Sequence, residues 1–255
     1  MAELMLQQTQ VARVIDRWPR FLQRFPTVEA CATAPVGDII DEWSGLGYNR
    51  RAVFLHRLAT MVAGEHDGQF PKTLKELLGL PGVGAYTARA ILVFAFEEPA
   101  AVLDTNVARI LARTTGRSLA PSEAQGLADE NLGPDPWAWN QAMLDIGAGH
   151  CTAKAPACEP CPMLGVCSWA DSGWAEPDPA VGSAGVSGKQ SKFGGSDRQG
   201  RGRLVKALRS GPVAIDELPA VMGWPGDSER AQRVALTLVA DGLAQADKES
   251  YRLPE

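Results

Sequence analysis

Apolar residues recur at the spacing of helix faces through the first 170 residues of this 255-residue chain. The clearest positions form two stripes, one made of Trp18, Phe21, Leu22 and Phe25 and the other of Ile39, Ile40 and Trp43. The second stripe stops at Gly45-Leu46-Gly47, a typical helix end. No alternating strand pattern of any length interrupts this region. The sequence therefore predicts a mainly α fold, with one helical domain over residues 1–170.

The composition changes after this domain. From Trp174 to Gly200 the chain is rich in Gly, Ser, Pro and Ala and has few apolar anchors, as linkers do. Residues 201–255 contain two or three short helical patterns, the longest over Ser228–Leu243, and end in "LAQADKESYRLP", which suits a small hairpin. That order resembles a winged helix. We therefore predict a flexible basic linker over residues 171–200 and a small winged-helix-like domain over residues 201–255.

The net charge of −5 weakly disfavours nucleic acid as a partner, but the charges are unevenly distributed. One segment carries seven basic residues opposed only by Asp197, namely Lys189, Lys192, Arg198, Arg201, Arg203, Lys206 and Arg209. Such a run can follow a phosphate backbone, although a solvated linker and helix face would carry the same residues.

Neither a membrane segment nor a secretion signal is apparent in the sequence. No apolar run approaches the roughly 20 residues that span a bilayer, and the basic and apolar stretches of a signal peptide are missing. We therefore expect a cytoplasmic protein with no membrane partner.

Four of the five cysteines follow a C-x6-C-x2-C-x5-C spacing, at Cys151, Cys158, Cys161 and Cys167. A reducing cytosol disfavours disulfides, and a C-x2-C pair suits metal ligation better. Four thiolates can hold either one Zn²⁺ ion or an iron–sulfur cluster, and the spacing leaves both open. Cys31 lies in an apolar stretch and is predicted to be a core residue.

The stretch "LKELLGLPGVGAYTARAILVF" predicts two helices joined by a tight hairpin, the first ending at Leu78 and the second starting near Ala85. Gly82 and Gly84 let the backbone approach a ligand, and the unpaired N–H groups of a helix start can bind a phosphate without reading sequence. A plain corner between helices explains the same residues without a ligand. Further along, Asp104 suits the N-cap of the next helix.

Together, the hairpin, the aspartate twenty residues beyond Gly84 and the cysteine spacing resemble the endonuclease III superfamily of DNA base-excision glycosylases. Within it, "ELMLQQTQV", "GLGYNRRA", "LPGVGAYTA", "LDTNV" and "NQAMLDIGA" resemble the A/G-specific adenine glycosylases of the MutY family. The resemblance covers roughly residues 2–170. It implies a helix-hairpin-helix glycosylase fold, with the cysteines in a cluster loop over residues 151–167.

Removing adenine needs a proton for the departing base and an anion near the sugar, which two carboxyl groups in different environments can supply. The resemblance implies that Glu3 is the general acid that protonates adenine at N7. It implies that Asp104 stabilises the oxocarbenium-like sugar. Glu3 would need a raised pKa, which desolvation in a closed pocket can provide.

The resemblance also implies DNA contacts. A base inside a duplex must be extruded, and a side chain that fills the gap lowers the cost. Gln8 corresponds to this wedge, with Gln7 beside it, and Tyr48 to an aromatic residue that intercalates beside the opposite 8-oxoguanine. Gln141 and Asp145 share a helix face that borders the adenine pocket in the family, and Asn106 lies near the sugar.

Residue 86 bears on the reaction type. Bifunctional members carry a lysine there, whose amine forms a Schiff base with the sugar and leads to strand cleavage. Tyr86 predicts instead a monofunctional glycosylase that leaves an abasic site, with this tyrosine lining the sugar pocket or assisting there. Mismatch glycosylases for T:G or U:G also carry tyrosine at this position, and the QQTQ run favours adenine removal.

The family implies a 4Fe-4S cluster on the four spaced cysteines and double-stranded DNA with A:8-oxoG or A:G mispairs as partner. We expect a monomer located with the nucleoid DNA. Two features depart from the family. A segment normally precedes the catalytic glutamate, so we expect a missed upstream start. The family's usual C-terminal domain resembles a Nudix hydrolase and reads 8-oxoguanine, and the final stretch of this sequence is too short for that domain and lacks its pattern. Because the amino end is short, an iron–sulfur DNA-binding protein without catalytic activity is a third hypothesis.

Overall fold

The computed structural model describes residues 1–184 and 192–255, and every regular element before residue 185 is helical. These helices are α1 (Ala2–Leu6), α2 (Val11–Val14), α3 (Arg17–Arg24), α4 (Val28–Thr33), α5 (Val36–Glu42), α6 (Arg50–Glu65), α7 (Leu74–Gly79), α8 (Ala85–Phe96), α9 (Thr105–Thr115), α10 (Pro121–Glu130), α11 (Pro136–Gly149) and α12 (Ser168–Asp171), with a 3-10 helix at Leu164–Val166. The predicted mainly α fold is confirmed. Within the described ranges, no helix is long and apolar enough to cross a membrane.

The later elements are α13 (Asp197–Leu208), α14 (Leu218–Met222) and α15 (Ser228–Ala240), a 3-10 helix at Ile215–Glu217, and the strands β1 (Val213–Ala214), β2 (Gln245–Ala246) and β3 (Ser250–Arg252). The strands form an antiparallel sheet in the order β1-β3-β2. The β2–β3 pair is the hairpin predicted at the end of the chain. The winged-helix-like assignment of residues 201–255 remains a prediction.

Contacts divide the described chain into two compact units. The first unit comprises residues 1–71, 79–82 and 192–255, and the second comprises residues 72–78 and 83–184. The C-terminal residues thus pack in the same unit as the first 71 residues. The division into three domains along the chain remains a prediction about which parts fold independently.

The core of the first unit is built on the long helix α6 and the helices around it. Leu55, Leu58 and Val62 occupy one face of α6 at helical spacing and are buried. The apolar stripes predicted on α3 and α5 are buried at Phe21, Phe25, Ile39, Ile40 and Trp43. Cys31 on α4 is fully buried, as predicted, and burial raises the pKa of its thiol to about 11.

The core of the second unit surrounds α9. Its buried cluster consists of Ala101, Val107, Ala108, Ile110, Leu111, Ala112, Leu119, Ala124, Ala128 and Met143. Helix α9 begins at an Asp104 cap and ends at Gly116, whose φ of +70° is a common helix stop. This helix therefore places Asp104 at a fixed end of the core.

The segment predicted as a linker is anchored on both sides of residues 185–191. These seven residues, which include Lys189 of the basic run, lie outside the described residues. On one side, Asp178 pairs with the buried Arg113 at 2.7 Å, and Ala184 N donates to Leu119 O. On the other side, α13 already begins at Asp197. Gly200 on α13 lies against Trp224, where a Cβ would overlap the indole ring. Composition did not indicate these contacts because each depends on a partner far along the chain.

Candidate active site

The predicted site residues fall into two groups, one in each compact unit. The first unit contains Glu3, Gln7, Gln8, Tyr48 and Gly82. The second unit contains Gly84, Tyr86, Asp104, Asn106, Gln141, Asp145, Cys151, Cys158, Cys161 and Cys167.

Glu3 lies on the short helix α1, which Leu4 and Met5 anchor in the core. Its side chain is half-buried, and burial raises the pKa of its carboxyl group, opposed by the amino group of Met1. Loss of water around a carboxyl group favours its neutral form. Glu3 is thus the kind of carboxyl group that can carry a proton to a base.

Gln7 and Gln8 follow α1 but have different surroundings. Gln7 Nε2 donates to Gly82 O at 3.1 Å, which joins this segment to the hairpin backbone. Gln8 is exposed and has a φ of +52°, in the left-handed region that non-glycine residues rarely adopt. Gln7 therefore holds the segment in place, and Gln8 is presented at its tip.

Tyr48 has a similar backbone. It is 47% exposed and has a φ of +45°, directly after Gly47 at +72°. Among the described residues, the other non-glycine residues with positive φ besides Gln8 and Tyr48 are Asp67, Glu97 and Trp174. Rare backbone conformations persist only where the surrounding structure maintains them, and they are concentrated at functional sites. Gln8 and Tyr48, the two residues predicted to enter DNA, are thus two of the five non-glycine residues with positive φ among the described residues.

Arg51 links these two segments, and the sequence analysis missed it. Its guanidinium donates hydrogen bonds of 2.5–3.1 Å to Leu4 O, Met5 O, Gln7 O, Thr9 Oγ1, Leu46 O and Gly47 O. Gln7 O and Gly47 O belong to the residues directly before Gln8 and Tyr48. Burial lowers the pKa of Arg51 to about 10. One buried cation thus fixes the backbone next to both strained residues.

The hairpin between α7 and α8 follows the predicted boundaries closely, since α7 ends at Gly79 and α8 begins at Ala85. Gly82 has a φ of +77°, and a Cβ there would lie 2.8 Å from Phe54 Cβ. Gly84 is the exposed N-cap of α8, and a Cβ there would meet no atom within 4 Å. Gly82 is therefore required by the fold. Gly84 leaves the backbone at the start of α8 open to a ligand.

Asp104 caps α9, as predicted, and its hydrogen bonds fix both carboxylate oxygens. Oδ1 accepts from Asn106 N at 2.8 Å and from Val107 N at 2.7 Å. Oδ2 accepts from Asn106 Nδ2 at 2.9 Å. Asn106 is held in turn by Arg109, whose Nη2 donates to Asn106 Oδ1 at 2.7 Å. This buried arginine was also missed, although it occupies the core face of α9.

Arg109 extends the network from the aspartate to the cysteine loop. Its Nη2 donates to Gly147 O at 2.9 Å and its Nε to Cys151 O at 2.5 Å. Gly147 on α11 lies so close to α9 that a Cβ there would be 2.5 Å from Asn106 Cβ. The first turn of α9, the end of α11 and the cysteine loop are therefore held together around one guanidinium.

Three further predicted residues of this unit lie on two helices. Tyr86 is half-buried at the second position of α8. Gln141 and Asp145 lie one helical turn apart on α11, as expected from their spacing. Gln141 is half-buried and Asp145 is exposed, so this face of α11 is open to solvent at one end.

The four spaced cysteines line one cavity, together with apolar residues that include Ile110, Ile146 and Trp169. Arg113 Nη1 donates to Cys151 Sγ at 3.3 Å. No compact group of three or more His, Cys, Asp or Glu side chains that could hold a metal ion occurs in residues 1–184 or 192–255. Four thiolates in one cavity could hold either one Zn²⁺ ion or an iron–sulfur cluster.

A family model described as "HhH-GPD superfamily base excision DNA repair protein" matches residues 1–129. The chain belongs to the HhH-GPD superfamily. Among its relatives, the adenine DNA glycosylase of Mycobacterium tuberculosis (strain CDC 1551 / Oshkosh) is 38% identical over 254 residues, covering 95% of this chain and 80% of that protein. The resemblance to the adenine glycosylases of this superfamily is confirmed, and the chain is a DNA N-glycosylase.

Solved structures of other glycosylases share the fold of this HhH-GPD protein. A thermostable thymine-DNA glycosylase matches with a TM-score of 0.62 and 28% identity, over 67% of this chain and 82% of that one. Endonuclease III in a trapped covalent complex with DNA matches with a TM-score of 0.61 and 25% identity, over 68% of this chain and 84% of that one. The predicted helix-hairpin-helix glycosylase fold is confirmed, and DNA is the substrate of the enzyme.

Proposed function

We propose that this HhH-GPD glycosylase removes adenine paired with 8-oxoguanine or guanine by hydrolysing the N-glycosidic bond. The observation that carries the proposal is a pair of unlike carboxyl groups. Burial raises the pKa of Glu3, whereas Asp104 accepts three hydrogen bonds from the first turn of α9. The likeness to an adenine DNA glycosylase over 95% of the chain supports adenine as the base.

Glu3 is the general acid in this mechanism. Protonation of adenine at N7 lets the base leave neutral, and the raised pKa keeps the proton available closer to neutral pH. The core side chains Leu4 and Met5 fix α1, so that the acid has one position from which to act.

Asp104 is the anion that stabilises positive charge on the sugar as the bond breaks. An oriented carboxylate costs no rearrangement during the reaction, which is the main advantage of a preorganised site. Asn106 and Arg109 supply that orientation. Water then adds to the sugar and leaves an abasic site.

Gln8 and Tyr48 are the residues that enter the duplex. Gln8 fills the gap left by the extruded adenine, and Tyr48 stacks beside the opposite base. Their exposure and their fixed left-handed backbones support this role. Gln7 holds the hairpin through its hydrogen bond to Gly82 O. Gly82 and Gly84 let the hairpin backbone approach a DNA phosphate. Gln141 and Asp145 border the adenine pocket.

Tyr86 makes the enzyme monofunctional, because no lysine amine is present at this position to attack the sugar. Borohydride reduction during turnover tests this point. The native enzyme is expected to give no protein–DNA adduct, whereas Tyr86→Lys is expected to give a trapped Schiff base. Efficient trapping by the native enzyme would contradict the monofunctional mechanism.

The cysteine cavity is the site for a 4Fe-4S cluster held by Cys151, Cys158, Cys161 and Cys167. The cluster would order the loop over residues 151–167 and stay outside the hydrolytic step. Iron and sulfide analysis of the purified protein tests this, with Cys158→Ser as the variant expected to lose both and Cys31→Ser as the control expected to keep them. Bound zinc without sulfide would contradict a cluster.

Duplexes carrying A:8-oxoG, A:G, T:G or U:G test the whole proposal. Alkali-dependent strand breaks at adenine alone are expected. Breaks at T or U would select a pyrimidine mismatch glycosylase, which the fold also supports through the thymine-DNA glycosylase neighbour. DNA binding without any excision would select the inactive binding protein. A monomer acting on DNA in the cytoplasm is part of this proposal.

A further inference from the structure

The C-terminal residues of the first unit contact the segment that leads into Tyr48. Arg209, the residue after α13, donates from Nη1 to Ser44 Oγ at 2.7 Å and from Nη2 to Ile40 O at 3.0 Å. Its side chain is only 14% exposed. Because Ser44 directly precedes the turn at residues 45–47, this guanidinium fixes the end of α5 and the start of the loop together.

Asp241, the residue after α15, contacts the segment on the other side of Tyr48. Its Oδ1 lies 3.4 Å from Arg50 Nε, at the first residue of α6, and its Oδ2 lies 2.5 Å from Arg201 Nη2. The next residue, Gly242, has a φ of +74°, and a Cβ there would lie 3.3 Å from Val53 Cγ1. An exposed ion pair contributes little stability by itself, so the fixed geometry is the main effect of these contacts.

A third contact fixes the other end of α5. Pro254 O accepts a hydrogen bond from Gly37 N at 2.9 Å, and a Cβ at Gly37 would lie 2.5 Å from this oxygen. Helix α5 is thus held near its start by Pro254 and at its end by Arg209. The C-terminal segment therefore contacts both helices that flank the loop over residues 44–49.

We propose that residues 197–255 position Tyr48 for the base opposite the adenine by holding the 44–49 loop, with Arg209 as the main positioning residue. The inference rests on the proposed function, in which Tyr48 enters the duplex at that base. Direct DNA binding by the basic run has less support, because Arg201 and Arg209 are already engaged in contacts within the protein.

A double-mutant cycle tests the proposal. Single-turnover rates of adenine release are measured on A:8-oxoG and A:G duplexes, and their ratio reports discrimination of the opposite base. Arg209→Ala and Tyr48→Ala are each expected to lower the ratio about tenfold, since small misplacements of a positioned group are costly. The double variant is expected to match Tyr48→Ala, because the arginine acts through the tyrosine.

Arg252→Ala is the matched control. It removes an arginine of the same segment that pairs with Asp247 at the surface, and the ratio is expected to stay at the native value. A second readout is 2-aminopurine placed next to 8-oxoguanine, whose fluorescence reports local unstacking on binding. Arg209→Ala is expected to reduce this signal, and Arg252→Ala to preserve it.

If Arg209→Ala does not fold, Ser44→Ala removes its acceptor on the loop and leaves the bond to Ile40. Folded Arg209→Ala or Ser44→Ala variants with native ratio and fluorescence would overturn the proposal. The proposal would also be overturned if the double variant lowered the rate ratio by the product of the two single effects. It would fail as well if Tyr48→Ala left the rate ratio at the native value. A native enzyme that releases no adenine from either duplex would instead refute the proposed function.

Discussion

Asn106 Nδ2 donates a hydrogen bond of 2.9 Å to Asp104 Oδ2, the carboxylate oxygen to which no backbone N–H of α9 donates. A helix cap needs only one side-chain oxygen, and Oδ1 already accepts both backbone N–H groups. The second oxygen is therefore fixed by a side chain, which is itself fixed by Arg109. Orientation of the carboxylate thus goes beyond what the start of the helix requires.

Asp104→Asn separates capping from catalysis, because asparagine caps helices about as well as aspartate. We expect adenine release to fall about a hundredfold or more, since the anion near the sugar is lost. The free energy of unfolding should fall by only about 1 kcal/mol, the value of one hydrogen bond. Single-turnover kinetics and urea unfolding measure the two effects.

Asp135→Asn is the control for this substitution. Asp135 caps α11 by accepting from Ala138 N at 2.9 Å and has no role in the proposed site. Equal activity losses in the two variants would show that the loss at Asp104 comes from helix capping.

Glu3→Gln is expected to lower adenine release about a hundredfold to ten-thousandfold, the range of general acid catalysis. The direction in which the rate of adenine release changes with pH tests the role of Glu3. An acid must be protonated to act, so the rate should fall as pH rises through the raised pKa of Glu3. Glu65→Gln on the exposed face of α6 should keep the native rate and profile. A native profile in Glu3→Gln would exclude this residue as the acid.

The same pKa shift has a consequence for stability. A carboxyl group whose pKa is raised by folding binds more protons in the folded state, so its contribution to stability is lost as pH rises through the folded pKa. Glu3→Gln should therefore raise the melting temperature at pH 8 more than at pH 4. Thermal unfolding followed by circular dichroism at the two pH values measures this difference. The opposite order would contradict burial as the cause of the shift.

Arg51→Met should destabilise the protein by about 3 kcal/mol or more, because several buried carbonyl oxygens lose their donor together. Arg57→Met on the exposed face of the same helix should change the free energy of unfolding by less than about 0.5 kcal/mol. Denaturant unfolding measures both values. Similar values for the two variants would mean that the buried guanidinium is dispensable.

We expect Gly82→Ala to lower stability and Gly84→Ala to weaken DNA binding instead. The first forces a Cβ against Phe54 at positive φ and should cost about 1–2 kcal/mol of stability. The second meets no protein atom and should leave stability within about 0.5 kcal/mol while weakening DNA binding. Thermal unfolding and fluorescence anisotropy with labelled duplex separate them. Unchanged affinity in Gly84→Ala would argue for a plain corner between helices.

The sequence predicted those parts of the structure that depend on neighbours along the chain. The start of α8 at Ala85, the cap at Asp104, the shared helix of Gln141 and Asp145 and the closing hairpin all follow from local spacing and residue type. The burial of Cys31 followed from its apolar surroundings. Periodicity and capping are local properties, which explains this agreement.

The missed features depend on distant partners. Arg51 bonds to carbonyl groups as far away as Leu4, and no local pattern encodes that. A signal was available, since Arg51 precedes Leu55, Leu58 and Val62 on the buried face of α6. The two-residue strand β1 is too short for an alternating pattern. Similarly, the packing of residues 192–255 with the first 71 residues depends on contacts across most of the chain.

The positive φ angles at Gln8 and Tyr48 could not be read from the sequence, because neither residue is one that favours them. Their consequence concerns the search for damage. Both tips acquire their shape when the protein folds, so neither has to become ordered when it meets a duplex. If Gln8 and Tyr48 enter the duplex as proposed, we expect them to probe a base step without an ordering transition, so that the stability of the base pair decides whether the base is extruded.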